Sequence, residues 1–217
     1  MSEQIKSKNN SNSSPKAEHY YSKKQSSRFD IDEIEAFLRG TEFKFYVAPG
    51  VFSKTKVDRG TEVLVENMII PESGRVLDLG CGYGVVGIVL KRLFPDVNVI
   101  FSDSNQRAII LTRKNIKLNG MNFKFSETLC ADKFSKLSCD EKFDGILLNP
   151  PQSAGKQLCF DMITESKNFL NVDGTLQIVA RHTKGGKTLS KKMEEIFGNV
   201  DVVKRQSGYR VYISKNI

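Results

Sequence analysis

Residues 75–84, Arg-Val-Leu-Asp-Leu-Gly-Cys-Gly-Tyr-Gly, decide how this 217-residue chain is read. Val76, Leu77 and Leu79 form a short apolar run of the kind that makes a buried strand. Glycines follow at 80, 82 and 84, and apolar residues then continue through Val85, Val86, Ile88, Val89, Leu90 and Leu93 in a helical pattern. Strand, glycine loop, helix is a βα turn at which a nucleotide-like ligand meets bare backbone and the N–H groups of a helix start. Gly82, Gly84 and Gly87 also satisfy the G-x-G-x-x-G spacing of dinucleotide-binding proteins, so this stretch by itself leaves the ligand open.

The rest of the composition sets limits. The length suits one well-buried domain with an extension, and 39% hydrophobic residues are enough for a core. No apolar run reaches the ~18 residues of a membrane span, and the polar N-terminus does not read as a secretory signal. Cys81, Cys130, Cys139 and Cys159 form no C-x-x-C pair, and His19 and His182 are the two histidines. That argues against a metal site and a disulfide framework and for a reducing cytoplasm. The net charge of +8, from 33 basic and 25 acidic residues, favours a nucleic-acid partner over a charge that only keeps the surface soluble.

Residues 1–28 are polar and basic, with Lys6, Lys8, Lys16, Lys23, Lys24 and Arg28, and are expected to be a disordered basic tail. Residues 29–72 read as an N-terminal extension packing on the core. Ile31, Ile34, Phe37 and Leu38 share a helical face ended by Gly40. Phe43, Phe45 and Val47 alternate as a strand, and Asp58 caps a helix that Pro71 closes. Residues 73–217 read as the main domain. Its strands are expected at about 75–80, 97–102, around Phe123 and Phe125, at 144–148, from Gly174, at 200–203 and after Gly208, with helices to Phe94, over about 105–119, 156–170 and 186–197. Alternating strands and helices mean an α/β fold, a mostly parallel sheet with helices on both faces. The short Lys204–Gly208 connection cannot cross between parallel strands, so the last strand is predicted to be antiparallel.

Asp103 ends the second core strand, roughly 20 residues past the glycine loop, where a carboxylate accepts ribose hydroxyls in NAD and S-adenosylmethionine sites alike. Asn149-Pro150-Pro151, at the carboxyl end of the fourth core strand, separates the two. Two prolines fix the backbone and turn carbonyls away from the ladder, and Asn149 adds an amide oxygen. That acceptor pair suits an NH₂ group, and hydride transfer has no use for it. The Arg181–Thr188 loop ends like a phosphate loop, but Arg181 stands where a Walker motif has glycine, which excludes ATP. It reads either as a basic loop touching RNA phosphates or as a plain turn.

Asp78-Leu79-Gly80-Cys81-Gly82-Tyr83-Gly84, Asp103 and Asn149-Pro150-Pro151 together resemble class I S-adenosylmethionine-dependent methyltransferases that act on exocyclic or amide nitrogens. Pro49–Ser53, Asp58–Thr61, Asn149–Lys156 and Gly208–Tyr212 are similar to the small-domain family that contains the bacterial 16S ribosomal RNA guanine-N2 methyltransferases and compact archaeal relatives. The bacterial enzymes carry a further duplicated domain, so the chain resembles the shorter archaeal form.

The resemblance implies a Rossmann-like seven-stranded sheet with residues 73–217 as the S-adenosylmethionine-binding domain. It implies that Asp78, Gly80, Cys81, Gly82 and Gly84 hold the methionine end of the cofactor, Asp103 and Ser104 its ribose, Ala131 and Asp132 its adenine, and that Phe52 covers it. Asn149, Pro150 and Pro151 are implied as catalytic, with the Asn149 amide oxygen and the Pro150 carbonyl gripping the acceptor nitrogen. Cys81 reads as a small loop residue and His182 as a surface residue. Many members carry an aromatic after the second proline to stack on the base, and here it is Gln152. The expected function is N-methylation of an RNA base, ribosomal RNA guanine-N2 before transfer RNA. Protein glutamine or a small molecule is the alternative, and a non-catalytic cofactor-binding RNA scaffold the reading from another class.

Overall fold

The computed structural model describes residues 29–121 and 126–217. The expected tail over 1–28 and the strand expected at Phe123 and Phe125 lie outside the described residues.

The described residues open with an antiparallel hairpin of β1 (Asp32–Leu38) and β2 (Thr41–Val47). The helix expected from Asp30 is therefore corrected to a strand. So short a segment fits both periods: Ile34, Ala36 and Leu38 turn inward while Glu33, Glu35 and Phe37 face solvent, which is strand alternation. Pairing with β2 decides between the two. Arg39 (φ 47°) and Gly40 (φ 75°) form the connecting turn, both left-handed, as the twist of a two-residue hairpin requires. Arg39 is held there by its guanidinium, which donates to the carbonyls of Val65 and Met68 at 2.6 Å each. These lie at the end of α1 (Arg59–Asn67).

Seven strands then make one sheet: β3 (Gly74–Leu79), β4 (Val97–Asp103), β5 (Ser126–Cys130), β6 (Phe143–Leu148), β7 (Leu170–Arg181), β8 (Asp201–Gln206) and β9 (Tyr209–Lys215). Their order is β5-β4-β3-β6-β7-β9-β8. The pairs from β5 to β7 are parallel, and β9 runs antiparallel to both its neighbours, as the short final connection predicts. Helices α2 (Val85–Leu93), α3 (Gln106–Leu118), α4 (Lys156–Ser166) and α5 (Lys187–Phe197) complete the framework. β7 starts at Leu170, earlier than Gly174, because the register against β6 is irregular between Phe143 and Gly145. That takes residues 167–170 out of the expected third core helix.

Each strand of the sheet centre feeds two cores by alternation. Val76, Val99 and Phe101 pack with α1, α2, α3 and the hairpin. Leu77, Leu79, Ile100 and Ile146 pack on the other face with α4 and α5. Two buried amides staple the N-terminal elements on. Asn115, fully buried in α3, accepts from the Tyr46 N–H at 2.6 Å and donates to the carbonyls of Tyr46 and Tyr83 at 3.0 and 2.9 Å. Gln177 in β7 exchanges two hydrogen bonds with the backbone of Ile69.

The topology makes a crevice. From β3 the chain moves to β4 and β5 on one side and returns with β6 on the other. Ligands of open α/β sheets bind outside the carboxyl ends of the strands at such a switch.

Candidate active site

A cavity of about 260 Å³ opens at that switch, and every residue singled out above as a site candidate except Gly84 lines it. Asp78, Gly80, Cys81 and Gly82 come from the end of β3 and the loop after it, Asp103 and Ser104 from the end of β4, and Ala131 and Asp132 from beyond β5. Asn149, Pro150 and Pro151 follow β6, and Phe52 reaches in from the segment before α1. Gly84 alone is absent from the lining and acts through the backbone: it caps α2 at φ 93° with no side-chain bond. A Cβ there would lie 3.0 Å from Thr112 Cγ2, so the turn both needs left-handed backbone and has no room for a side chain.

Two buried carboxylates shape the cofactor side. Asp78 is 3% exposed and accepts the Gly87 N–H at 2.9 Å. Burial, with Asp103 nearby, pushes its carboxyl up to about 7 against the opposing pull of that hydrogen bond. Asp103 accepts the Gly82 N–H through Oδ2 and the Asn105 N–H through Oδ1, each at 2.8 Å. It thereby ties the glycine loop to the start of α3. The Cys81 thiol is raised well above its ordinary value by burial and then by these two carboxylates, so it stays protonated and is no nucleophile. The N–H of Ala131 donates to the Asp103 carbonyl at 3.0 Å, so this residue meets the cavity as an apolar wall. Asn105 donates its side-chain N–H to the Gly50 carbonyl at 2.9 Å, which holds the Phe52 segment beside the crevice.

Opposite them, Pro151 (φ −74°, ψ 70°) is the centre of an inverse γ-turn, closed by the Gln152 N–H on the Pro150 carbonyl at 2.8 Å. A carbonyl oxygen has two lone pairs, so Pro150 can still accept from a ligand. The Asn149 side-chain amide donates to Asp58 Oδ2 at 3.1 Å and Thr61 Oγ1 at 2.9 Å. Gln152 also lines the cavity, and its amide donates to the Lys184 carbonyl at 2.9 Å. At the mouth, Arg181 places its guanidinium 5.1 Å over the Tyr209 ring and donates to the Tyr209 hydroxyl at 3.0 Å.

Asp58, Thr61, Arg181 and Tyr209 are the site residues that sequence reading missed. Asp58 reads as a helix cap, and it is one, accepting from the Thr61 N–H at 3.1 Å. The signal that it does more is the i, i+3 spacing from Asp58 to Thr61, which brings both side chains to the same end of α1. His182 stays out of the cavity lining and bonds the Tyr212 hydroxyl at 2.8 Å.

The donor set fits an adenosyl cofactor with an amino-acid end. Two buried carboxylates answer an ammonium and a pair of hydroxyls, and the glycine turn leaves backbone at one wall. Among the described residues no cluster of His, Cys, Asp and Glu is arranged to hold a metal ion, and no helix is long and apolar enough to cross a membrane.

The family model of the methyltransferase small domain matches residues 42–213. The uncharacterized protein YbxB of Bacillus subtilis is 36% identical over 203 residues, which cover 93% of this chain and all of that protein. The ribosomal RNA small subunit methyltransferase C of Haemophilus influenzae is 33% identical over 175 residues, 79% of this chain and 51% of the relative. The chain thus spans about half the length of the ribosomal RNA methyltransferases it matches. Among solved structures, a T. thermophilus 16S rRNA N2 methyltransferase in complex with AdoMet and guanosine superposes with a TM-score of 0.76 at 24% identity, over 89% of this chain and 52% of that one. With the family model matched from β2 to β9 and the crevice built as described, this chain belongs to the methyltransferase small domain family, a family of S-adenosylmethionine-dependent enzymes.

Proposed function

We propose that this protein methylates an exocyclic amine of an RNA base, with guanine N2 of ribosomal RNA as the leading target and transfer RNA second. The observation that carries the reading is Asn149 beside Pro150 across one cavity from Asp78 and Asp103. Bound S-adenosylmethionine supplies a methyl group on a sulfonium, an electrophile whose leaving group needs no proton. The protein's task is then positioning. Asp78 faces the donor's ammonium, Asp103 and Ser104 the ribose, Asp132 and Ala131 the adenine, and Phe52 shields the cleft from water. The Asn149 amide oxygen and the Pro150 carbonyl accept the two N–H bonds of the acceptor amine and aim its lone pair at the donor side. Once methylated, the nitrogen releases one proton to water, so no histidine or cysteine serves as base.

The RNA half of the reading is supported by the net charge of +8 and by relatives named as ribosomal RNA methyltransferases. It also draws on Arg181, whose guanidinium carbon lies 5.1 Å from the centre of the Tyr209 ring at the mouth. Arginine planes stack on unpaired bases, a surface that offsets the missing aromatic at 152. Cys81, Cys130, Cys139 and Cys159 are free thiols, in keeping with action in the cytoplasm. Tritiated S-adenosylmethionine incubated with the protein and total RNA, and separately with total protein, tests the proposal. Label is expected in RNA. Label in protein alone overturns the substrate class, and label in neither, with tight cofactor binding, favours the scaffold.

A further inference from the structure

We propose that Asp58 and Thr61 are positioning residues that lock the Asn149 amide in one of its two orientations, oxygen toward the acceptor. The inference deepens the reading above and rests on it.

Asn149 Nδ2 lies 3.1 Å from Asp58 Oδ2 and 2.9 Å from Thr61 Oγ1. An ionised carboxylate only accepts. The amide atom facing Asp58 is therefore the NH₂ group, and its two N–H bonds are spent on one side, on Asp58 and Thr61. The amide oxygen is left on the opposite edge of a planar group that lines the cavity. Turned over, Asn149 would set its oxygen against a carboxylate and offer a donor to an amine that is itself a donor.

The lock is itself held. Asp58 is extended (φ −63°, ψ 140°) and caps α1 through the same Oδ2, which accepts the Thr61 N–H at 3.1 Å. Thr61 is buried in the first turn of that helix. The residue between them is Gly60, where a Cβ would lie 2.9 Å from Asp58 Oδ2 and 3.0 Å from Tyr209 Cε1. A side chain there would push the carboxylate off Asn149. The arrangement also accounts for an amide at 149: an aspartate would face Asp58 as a second carboxylate.

Nuclear magnetic resonance on the ¹⁵N-labelled full chain tests this without any acceptor. The Asn149 NH₂ resonances, assigned by their loss in N149A, are expected to exchange slowly with solvent. They should lose that protection in T61V, which lacks the hydroxyl, and in D58S, which keeps a capping oxygen too short to reach Asn149. T61S should restore most of it.

With RNA as acceptor, T61V and D58S should lower kcat by roughly ten- to a hundredfold while the Kd for S-adenosylmethionine stays within about twofold, and neither should lower kcat further in the N149A background. Protection that persists in both variants overturns the proposal. So does cofactor affinity that falls in step with kcat, or a loss that adds in full to that of N149A. If the wild-type protein labels no RNA, the substrate reading fails while the resonances still decide the lock.

Discussion

The backbone N–H of Gly87 donates to Oδ2 of Asp78 at 2.9 Å, joining the carboxyl end of strand β3 to helix α2. That one donor does not outweigh burial, and the carboxyl stands at about 7.

A contact to the donor's ammonium needs the ionised form. The affinity for S-adenosylmethionine should therefore weaken below pH 7, by up to about tenfold per unit, and level off at higher pH. Calorimetric titrations between roughly pH 5.5 and 8.5 would show it, and D78N should bind weakly with no such slope. The fold responds with the opposite sign. A carboxyl raised by folding contributes stability at low pH that is lost as the pH climbs from the ordinary carboxylate range through about 7. D78N should remove that part of the decline in chemical denaturation of the ligand-free protein.

Asn149→Ala removes the amide oxygen of the proposed acceptor pair and leaves the proposed cofactor wall intact. Methyl transfer should fall by roughly a hundredfold or more, with cofactor affinity changed by less than about threefold. Single-turnover rates and equilibrium binding, measured on one preparation, separate the two. A variant with full turnover would sink the assignment.

Arg181→Ala removes the planar cation that lies beside Tyr209 at the mouth. Base stacking on such a surface is worth about 1–3 kcal/mol, so the KM for RNA should rise by roughly tenfold with little change in kcat. Arg181→Lys keeps the charge without the plane and should recover only part of the loss.

Asn115→Ala deletes three hydrogen bonds at a fully buried position and strands the backbone groups of Tyr46 and Tyr83. Leaving buried polar groups unpaired costs about 1–3 kcal/mol each, so urea denaturation should show a loss of at least about 3 kcal/mol, toward the upper end for a single substitution.

Much of this architecture was legible because its signals are local. The glycine run, the acids that end β3 and β4, and the prolines after β6 each dictate backbone that admits few alternatives. The antiparallel final strand followed from a connection too short to cross over. The hairpin was misread because Ile34, Phe37 and Leu38 satisfy a helical spacing while Ile34, Ala36 and Leu38 satisfy a strand. Only the partner strand, which no local pattern names, chooses between them. The same holds at the site. Asp58 announces a helix cap, and nothing in its neighbourhood along the chain says that Asn149 arrives on its other side. Nor does the spacing of Arg181 and Tyr209 reveal that the guanidinium of one bonds the hydroxyl of the other. Gln152 reads as a missing aromatic, whereas its anchoring to the Lys184 carbonyl depends on a loop about thirty residues away.

The position of β9 bears on how the molecule is made. It is translated after β8 yet lies between β8 and β7. Until Tyr209–Lys215 has been synthesised, β8 has no partner and the open flank of β7 stays bare, so the nascent chain carries two unsatisfied edges of the kind that invite aggregation. Closure of the sheet thus waits for the same segment that delivers Tyr209 to the cavity mouth, and a prematurely terminated product would lack both.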